Sequence, residues 1–284
     1  MEKMTVFQLK SFLPLVLILP WISQLSGIDD RRKMAWSPNT GWISFSHGQG
    51  GVTVHFNGKN GWLSGYAWGE NIGWLAMGSA GGGPYENLSA SDWGVNFDAD
   101  GKMSGFAWGE NIGWIHFNPN YGGVRINKSN GSFQGKAWSE NTGWLLFGGE
   151  NPLYGVRTTA FDTQALGTPN WWLNIHGVRE DDTNAAGIPA WQAFIMDIPP
   201  EAMTPLRITN IQPPSPESVV SFGPVSPNRK YTLQRKTDLK APEWFTIAEL
   251  PAPENHAPTA SLPDAEPPAR AFYRVTVSLP AQNP

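Results

Sequence analysis

Four segments of the chain share one alternation of small or apolar positions with aromatic or polar ones. They are "MAWSPNTGWISFS" from Met34, "YAWGENIGWLAMG" from Tyr66, "FAWGENIGWIHFN" from Phe106 and "KAWSENTGWLLFG" from Lys136. In each segment, two short runs of period two flank an Asn-x-Gly loop. Because successive side chains of a strand point to opposite faces, the pattern predicts two antiparallel strands joined by a tight loop, with the loop glycine at positive φ.

Each repeat also contains a shorter strand pattern ahead of the tryptophan segment. These strands are "GVTVHF" from Gly51, "GVNF" from Gly94, "GVRI" from Gly123 and a last "GVRT" from Gly155. Residues 34–165 are therefore predicted to form an all-β array of four three-stranded antiparallel meander repeats. A closed propeller-like or barrel-like array and an open β-solenoid both fit this pattern. The terminal strand favours closure, because it can complete the first repeat and cover an edge.

The alternation gives each repeat two different faces. Leu63, Gly65 and Ala67 share a face that is small or aliphatic in every repeat. The opposite face carries the tryptophans together with mixed neighbours, including Lys136 and His116. Mixed character of this kind is typical of a sheet surface that is at least partly in contact with water.

Two interpretations of the repeated tryptophan pairs remain open at this point. In the first, the indoles are structural and seal each hairpin against its neighbour, which is favoured by the usual burial of tryptophan. In the second, they form a stacking platform for a glycan or another cell-envelope polymer, which the mixed neighbours favour. The candidate ligand-binding residues are Trp68, Trp74, Trp108, Trp114, Trp138 and Trp144.

Acidic residues recur in the loop between the two tryptophans. Glu70, Glu110 and Glu140 occupy the same loop position, where a carboxylate can bind a cation or act as a catalytic acid. A polar turn residue is the simpler interpretation. It is favoured by the first repeat, which carries Pro38 at this position.

The remainder of the chain differs in character from the repeats. Residues 166–204 are richer in acids and helix formers, and are predicted to form a linker with a short helix. From about residue 205 to residue 280, short strand patterns alternate with proline-rich turns. This spacing predicts a small C-terminal β-sandwich.

Three segments resemble known kinds of sequence. The "AWxENxGW" repeat resembles β-repeats of secreted and surface bacterial proteins, and "YTLQRKTDLKAPEWFTIAEL" with "AFYRVTV" resembles a fibronectin-type-III-like module, which implies an adhesive or spacer role. "AAGIPAWQAFIMDIPP" resembles a calcium loop followed by a short helix. That resemblance implies calcium near Asp182 and Asn184, but Ala186 and Ala193 stand where ligands are expected, so the loop is degenerate.

Charge and cysteine content exclude several classes of function. The formal net charge is −4 and no long basic run occurs, which argues against a nucleic-acid partner. The absence of cysteine excludes disulfides, thiolate catalysis and cysteine metal sites.

The N-terminal segment has the composition of an export signal. Lys3 and Lys10 are followed by the apolar run "FLPLVLILPWI", which predicts a signal peptide over residues 1–27, with an uncleaved membrane anchor as the alternative. A secreted, periplasmic or cell-surface protein is therefore expected.

Catalytic motifs are not recognisable in the sequence. The five histidines do not recur in register, and no nucleophile, metalloprotease or nucleotide-binding pattern is present. The sequence predicts a non-catalytic binding or scaffold protein without a cofactor. One alternative is an extracellular glycoside hydrolase using carboxylates such as Asp92, Asp98 and Asp100, and another is a purely structural surface or adhesion protein.

Overall fold

The structure is a computed structural model and describes residues 27–214 and 216–279. The predicted signal peptide, apart from Gly27, lies outside the described residues. The strands of the repeat region are β1 (Ile28–Ser37), β2 (Gly41–Ser44), β3 (Ser46–His47), β4 (Gly50–Asn57), β5 (Asn60–Gly69), β6 (Gly73–Ala76), β7 (Val95–Phe97), β8 (Met103–Gly109), β9 (Gly113–His116), β10 (Gly123–Ile126), β11 (Phe133–Ser139), β12 (Gly143–Leu146), β13 (Gly148–Glu150) and β14 (Leu153–Thr158).

Eight of these strands close into a barrel. The hairpins β1–β2, β5–β6, β8–β9 and β11–β12 pair side by side, and β12 pairs with β1 to complete the ring. All eight carry the tryptophan motif, so this closed ring is named the Trp ring. The predicted all-β fold is confirmed, and the repeats close as a barrel rather than run open as a solenoid.

Four of the other strands, together with parts of the long strands, form a second closed ring next to the Trp ring, here named the base ring. It consists of β4, β7, β10 and β14, which alternate with the N-terminal parts of β1, β5, β8 and β11. Isolated bridges between residues Gly27 and Thr53, Lys102 and Arg125, and Ser132 and Arg157 complete the circle. The first and third strands of each predicted meander therefore lie at different levels of the barrel, on opposite sides of the long strand between them.

The first repeat takes its base-ring strand from the other end of the repeat region. Val156 of β14 pairs with Lys33 of β1, as Val52 of β4 pairs with Gly65 of β5. Closure of the first repeat by the "GVRT" strand is thus confirmed. Arg157 stabilises this junction of β1 and β14, here called the seam. Its Nη1 lies 2.9 Å from Asp29 Oδ2, and it forms a further ion pair with Asp162.

The interior of both rings is a single apolar core. It contains the alanines that precede the first tryptophans and the aliphatic residues that follow the second ones, all 5% exposed or less. The alanines are Ala35, Ala67, Ala107 and Ala137. The residues directly after the second tryptophans are Ile43, Leu75, Ile115 and Leu145, and those two positions further on are Phe45, Met77, Phe117 and Phe147. The face without tryptophan, identified from the alternation, is therefore the inside of the barrel.

Where a long strand passes from the base ring to the Trp ring, three repeats use a glycine at positive φ. At Gly65 φ is +82°, and a Cβ there would lie 2.0 Å from the carbonyl oxygen of Gly51. Gly105 and Gly135 have the same conformation and the same close backbone approach. Only glycine fits such a position without displacing the neighbouring strand.

Residues 166–204, predicted to be a linker with one short helix, contain two helices, α1 (Asn170–His176) and α2 (Ala190–Met196). Each helix follows a loop closed by an isolated bridge, between Thr163 and Pro169 in the first loop and between Thr183 and Pro189 in the second. The sequence shows the same duplication, since "DTQALGTPNWWLNI" recurs after twenty residues as "DTNAAGIPAWQAFI". Residues 162–197 are thus a tandem of two loop–helix units packed on a common apolar cluster.

The C-terminal region consists of two three-stranded antiparallel sheets. One contains β15 (Arg207–Gln212), β16 (Ser218–Gly223) and β19 (Ala260–Asp264), and the other contains β17 (Lys230–Lys236), β18 (Phe245–Leu250) and β20 (Phe272–Ser278). The strand patterns expected between residues 205 and 280 are thus present, arranged in two sheets. Within residues 27–214 and 216–279, no helix has the length and apolar character needed to cross a bilayer.

Candidate functional site

The motif directs its tryptophans to the outside of the Trp ring. The alanine before each first tryptophan is fully buried inside the barrel, so the indole next to it points outward. Across each hairpin the two tryptophans are direct partners, with ring centroids 4.7–4.8 Å apart and planes inclined by 59–65°. The four pairs are Trp36–Trp42, Trp68–Trp74, Trp108–Trp114 and Trp138–Trp144.

None of the eight indoles belongs to the barrel core. Trp42 and Trp114 are 42% and 44% exposed, and the other six rings are partly exposed. The apolar interior is complete without them. The rings therefore do not fill the barrel core. The two indoles of each pair do meet across their hairpin, as the structural interpretation expects, so both interpretations of the pairs remain open.

Between neighbouring hairpins, each first tryptophan faces a residue of the preceding repeat. Trp68 pairs with Ser44, Trp108 with Ala76 and Trp138 with His116. Trp36 instead pairs with the larger apolar Leu146. The sequence therefore places a small or polar partner beside three of the four tryptophans.

Three grooves on the outside of the Trp ring lie next to these small or polar partners, between neighbouring repeats. The groove between the second and third repeats has a volume of about 560 Å³ and is lined by Gln49, Tyr66, Trp74, Ala76, Trp108 and Glu110. The groove between the first and second repeats contains Trp42, Trp68 and Glu70, and the groove between the third and fourth contains Trp138, Trp144 and Glu140. Volumes of this size are typical of sites for small ligands.

The acidic loop residues stand at the edges of the same grooves. Glu70, Glu110 and Glu140 are exposed, and Glu140 Oε1 accepts a hydrogen bond of 3.0 Å from Nε1 of Trp138. The carboxylates of Glu70 and Glu110 have no hydrogen-bond or ion-pair partner in the described part of the chain. Each groove thus combines indole faces with a carboxylate, a combination the first repeat lacks because of Pro38.

The loops that carry these carboxylates are fixed by a ring of asparagines. The side-chain amide of each loop asparagine donates to a loop carbonyl of the preceding repeat, and the last link joins the first repeat to the fourth. The bonds are Asn39 to Thr142 (2.9 Å), Asn71 to Thr40 (3.0 Å), Asn111 to Ile72 (3.2 Å) and Asn141 to Ile112 (3.1 Å). The loop glycines have φ of +72° to +84°, as predicted.

The second tryptophans have different supports in different repeats. Trp93 packs against Trp114, and Tyr154 against Trp42, in both cases with centroids 5.1 Å apart and planes at 82°. The Nζ atom of Lys136 lies 3.9 Å from the ring centroid of Trp144, which is a cation–π contact.

The ring of His116 stacks on Phe106 at 4.7 Å. Burial lowers the pKa of His116, which favours its neutral form at the groove edge. The mixed neighbours of the tryptophans that the sequence shows on this face, such as His116, therefore lie at the walls and edges of the grooves.

The acids considered for glycoside hydrolysis lie elsewhere. Asp98 Oδ1 accepts hydrogen bonds of 2.9 Å from the backbone N–H groups of Asp100 and Lys102, so this carboxylate caps its own turn. Asp92 Oδ2 likewise accepts from the backbone N–H of Glu86 at 3.0 Å. Neither contact places two acids across one of the tryptophan grooves.

The residues expected to bind calcium do not fit that role. Asn184 Oδ1 accepts from the N–H groups of Ala186 and Ile188, at 2.9 and 3.0 Å, so its oxygen is already used inside the loop. Asp182 accepts from the backbone and the guanidinium of Arg179, at 2.8 and 3.0 Å. Calcium requires free oxygen ligands, whereas this loop is filled by N–H donors.

Sequence reasoning found six of the eight motif tryptophans and missed other members of the surface. Trp42 also lines a groove but is not among the six residues that the sequence predicts. Trp93 and Tyr154 were missed as well. Their common position, just before a Gly-Val pair that begins a base-ring strand pattern, is the signal that could have identified them.

Comparison with known proteins identifies no family for this chain: no protein-family model, no curated protein and no solved structure matches it.

Proposed function

We propose that this protein is a non-catalytic binding protein whose Trp ring holds a glycan in the grooves between its repeats. The observation that carries the proposal is the repeated groove itself, in which partly exposed indoles and a loop carboxylate lie together outside a complete core. Sugar rings present apolar C–H faces to an indole and hydroxyl groups to a carboxylate. The composition of the grooves fits that combination.

The several grooves of one barrel also support polymer binding. A glycan chain that contacts more than one groove, or several barrels on one polymer, binds more tightly than a single sugar through effective concentration. A role outside the cytoplasm, on a secreted or surface-attached protein, accords with this ligand and with the predicted export signal. The C-terminal sandwich then acts as a spacer or adhesive module.

The proposal is tested by replacing Trp108 with alanine and measuring binding to a panel of immobilised polysaccharides together with the free energy of unfolding. Because the ring lies outside the core, we expect a loss of less than about 2 kcal/mol, below the ~3–5 kcal/mol typical of a buried tryptophan. Binding to the recognised polysaccharide should weaken by about tenfold or more.

Trp36→Ala is the matched control, since Trp36 has the same partner geometry but stands beside Leu146 and Pro38. It should change the stability similarly and leave binding nearly intact. A wild-type protein that retains no polysaccharide, or a folded Trp108→Ala variant that binds as well as the wild type, would show that the proposal is wrong.

A further inference from the structure

The fourth repeat places an ammonium group of the protein itself on a motif tryptophan. Lys136 pairs with Leu146 in its hairpin, as Tyr66 pairs with Ala76 in the second repeat. Lys136 and Tyr66 therefore occupy equivalent positions, and so do the tryptophans beside them. The position of Lys136 Nζ over Trp144 shows that an indole at this place in the repeat accepts a cation on its face.

In the second repeat the equivalent indole, Trp74, has no such cation within the described part of the chain. Tyr66 is 51% exposed and meets Trp74 only edge-on, with centroids 6.2 Å apart. Gly50 stands where other repeats have Trp93 or Tyr154, and a Cβ on it would lie 3.1 Å from the indole. The ring of His47 also meets this indole edge-on, with centroids 5.5 Å apart. Trp74 thus has aromatic edge contacts but no lysine or arginine on its face among the described residues.

The charge of the same groove is negative. Glu110 lines it, has no partner in the described chain, and is accompanied by no lysine or arginine among the lining residues. A neutral sugar needs only hydrogen-bond donors and acceptors, whereas an unpaired carboxylate next to indole faces is suited to an ammonium group.

We infer that the ligand of the groove formed by Tyr66, Trp74, Trp108 and Glu110 is an amino sugar, such as a glucosamine unit of a polymer. Its ring stacks on the indoles, and its ammonium group pairs with Glu110. This inference rests on the proposed glycan binding and names the class of glycan.

The first test measures calorimetric binding of a glucosamine oligomer and of its N-acetylated counterpart, at about pH 6, where a primary amine is protonated. The wild type should bind the amino oligomer more tightly, and added salt should weaken that binding. Glu110→Gln should weaken it by about tenfold, the effect of losing one charge-assisted hydrogen bond, and leave the N-acetylated oligomer unaffected. Glu150→Gln, the same change of charge on a strand outside the three grooves, should have no effect.

The second test gives the second repeat the lysine that the fourth repeat has at the equivalent position. Tyr66→Lys places a competing ammonium on Trp74, so it should weaken binding of the amino oligomer by about tenfold. Tyr66→Phe keeps the ring and adds no charge, so the weakening by Tyr66→Lys is measured relative to this variant. Position 66 is exposed and Lys136 shows that the fold accepts lysine there, so both variants should fold.

The outcomes separate this inference from the function on which it depends. If the amino and N-acetylated oligomers bind equally well, or if neither Glu110→Gln nor Tyr66→Lys affects the amino oligomer, the inference is wrong while glycan binding stands. If the wild-type protein binds no glycan of any class, the proposed function itself is wrong.

Discussion

At the scale of single residues, each position of the repeated motif has its own structural role. Alanine fills the barrel, the two tryptophans face outward, asparagine joins neighbouring repeats, and glycine adopts a positive φ. The position after the first tryptophan varies together with the position before the loop glycine. Gly69 and Gly109 occur with Ile72 and Ile112, whereas Ser37 and Ser139 occur with Thr40 and Thr142.

This covariation within the chain predicts a compensating pair. A Cβ at Gly69 would lie 2.7 Å from Ile72 Cγ1, so Gly69→Ser should overpack the end of the barrel and lower the free energy of unfolding by about 1–2 kcal/mol. Adding Ile72→Thr, which reproduces the combination of the first repeat, should recover at least half of that loss. Urea unfolding of the single and double variants measures the coupling, and strictly additive losses would contradict the prediction.

At the scale of elements, the strands and faces were largely predictable, because an alternation of two residues fixes which side chains are inside. The two levels of the barrel were not predictable. The alternation does not show that β4 pairs with one part of β5 and β6 with the other part, which depends on the passage at Gly65.

The candidate site was predicted in part for a similar reason. Local alternation placed the tryptophans on one face, but the grooves depend on contacts between repeats, such as Ala76 with Trp108. The asparagine ring likewise joins residues about thirty to a hundred positions apart. By contrast, the duplicated loop–helix unit was present in the sequence as a period of twenty residues, and only the more acidic copy was recognised.

The two loop–helix units yield a prediction about calcium. Glu180 accepts hydrogen bonds from the N–H groups of Leu166 and Thr168, each 2.9 Å long, so the first loop is also held by a carboxylate of the protein. We therefore expect added calcium or a chelator to shift the melting temperature by less than about 1 °C, since binding to the folded state alone would raise it. Glu180→Gln should lower the melting temperature in either condition, and a calcium-dependent increase would contradict this account.

At the scale of the whole molecule, the helical tandem lies between two cores. Trp171 of α1 contacts Phe56 of the barrel, with centroids 6.0 Å apart. At the other end, the guanidinium of Arg229 donates to the carbonyl groups of Phe194 and Ile195 at 2.7 Å, which satisfies the last turn of α2. The barrel and the sandwich are therefore connected through short helices rather than through a featureless linker.

The seam between β1 and β14 should contribute less to the stability of the protein in acid. Burial alone would raise the pKa of Asp29, but the backbone N–H of Arg31 and the guanidinium of Arg157 outweigh it and lower this pKa below its ordinary value of 3.8. A lowered pKa contributes stability above the unfolded value, and that contribution is lost as the pH falls through the folded pKa. The unfolding free energy should therefore decrease below about pH 4, and by less in Asp29→Asn. Equal pH dependence in the two proteins would exclude this role of the seam.

The strand that completes the first repeat also affects the order in which the molecule is assembled. A chain synthesised from its N-terminus makes the hairpin β1–β2 first, yet the base-ring part of β1 obtains its partner only after Thr158 has been added. Until then, an unpaired strand edge is available to other chains. In the finished barrel, β14 covers that edge, so the edge is paired only in a chain that includes β14. A chain that ends before β14 is therefore expected to expose this edge to its own copies.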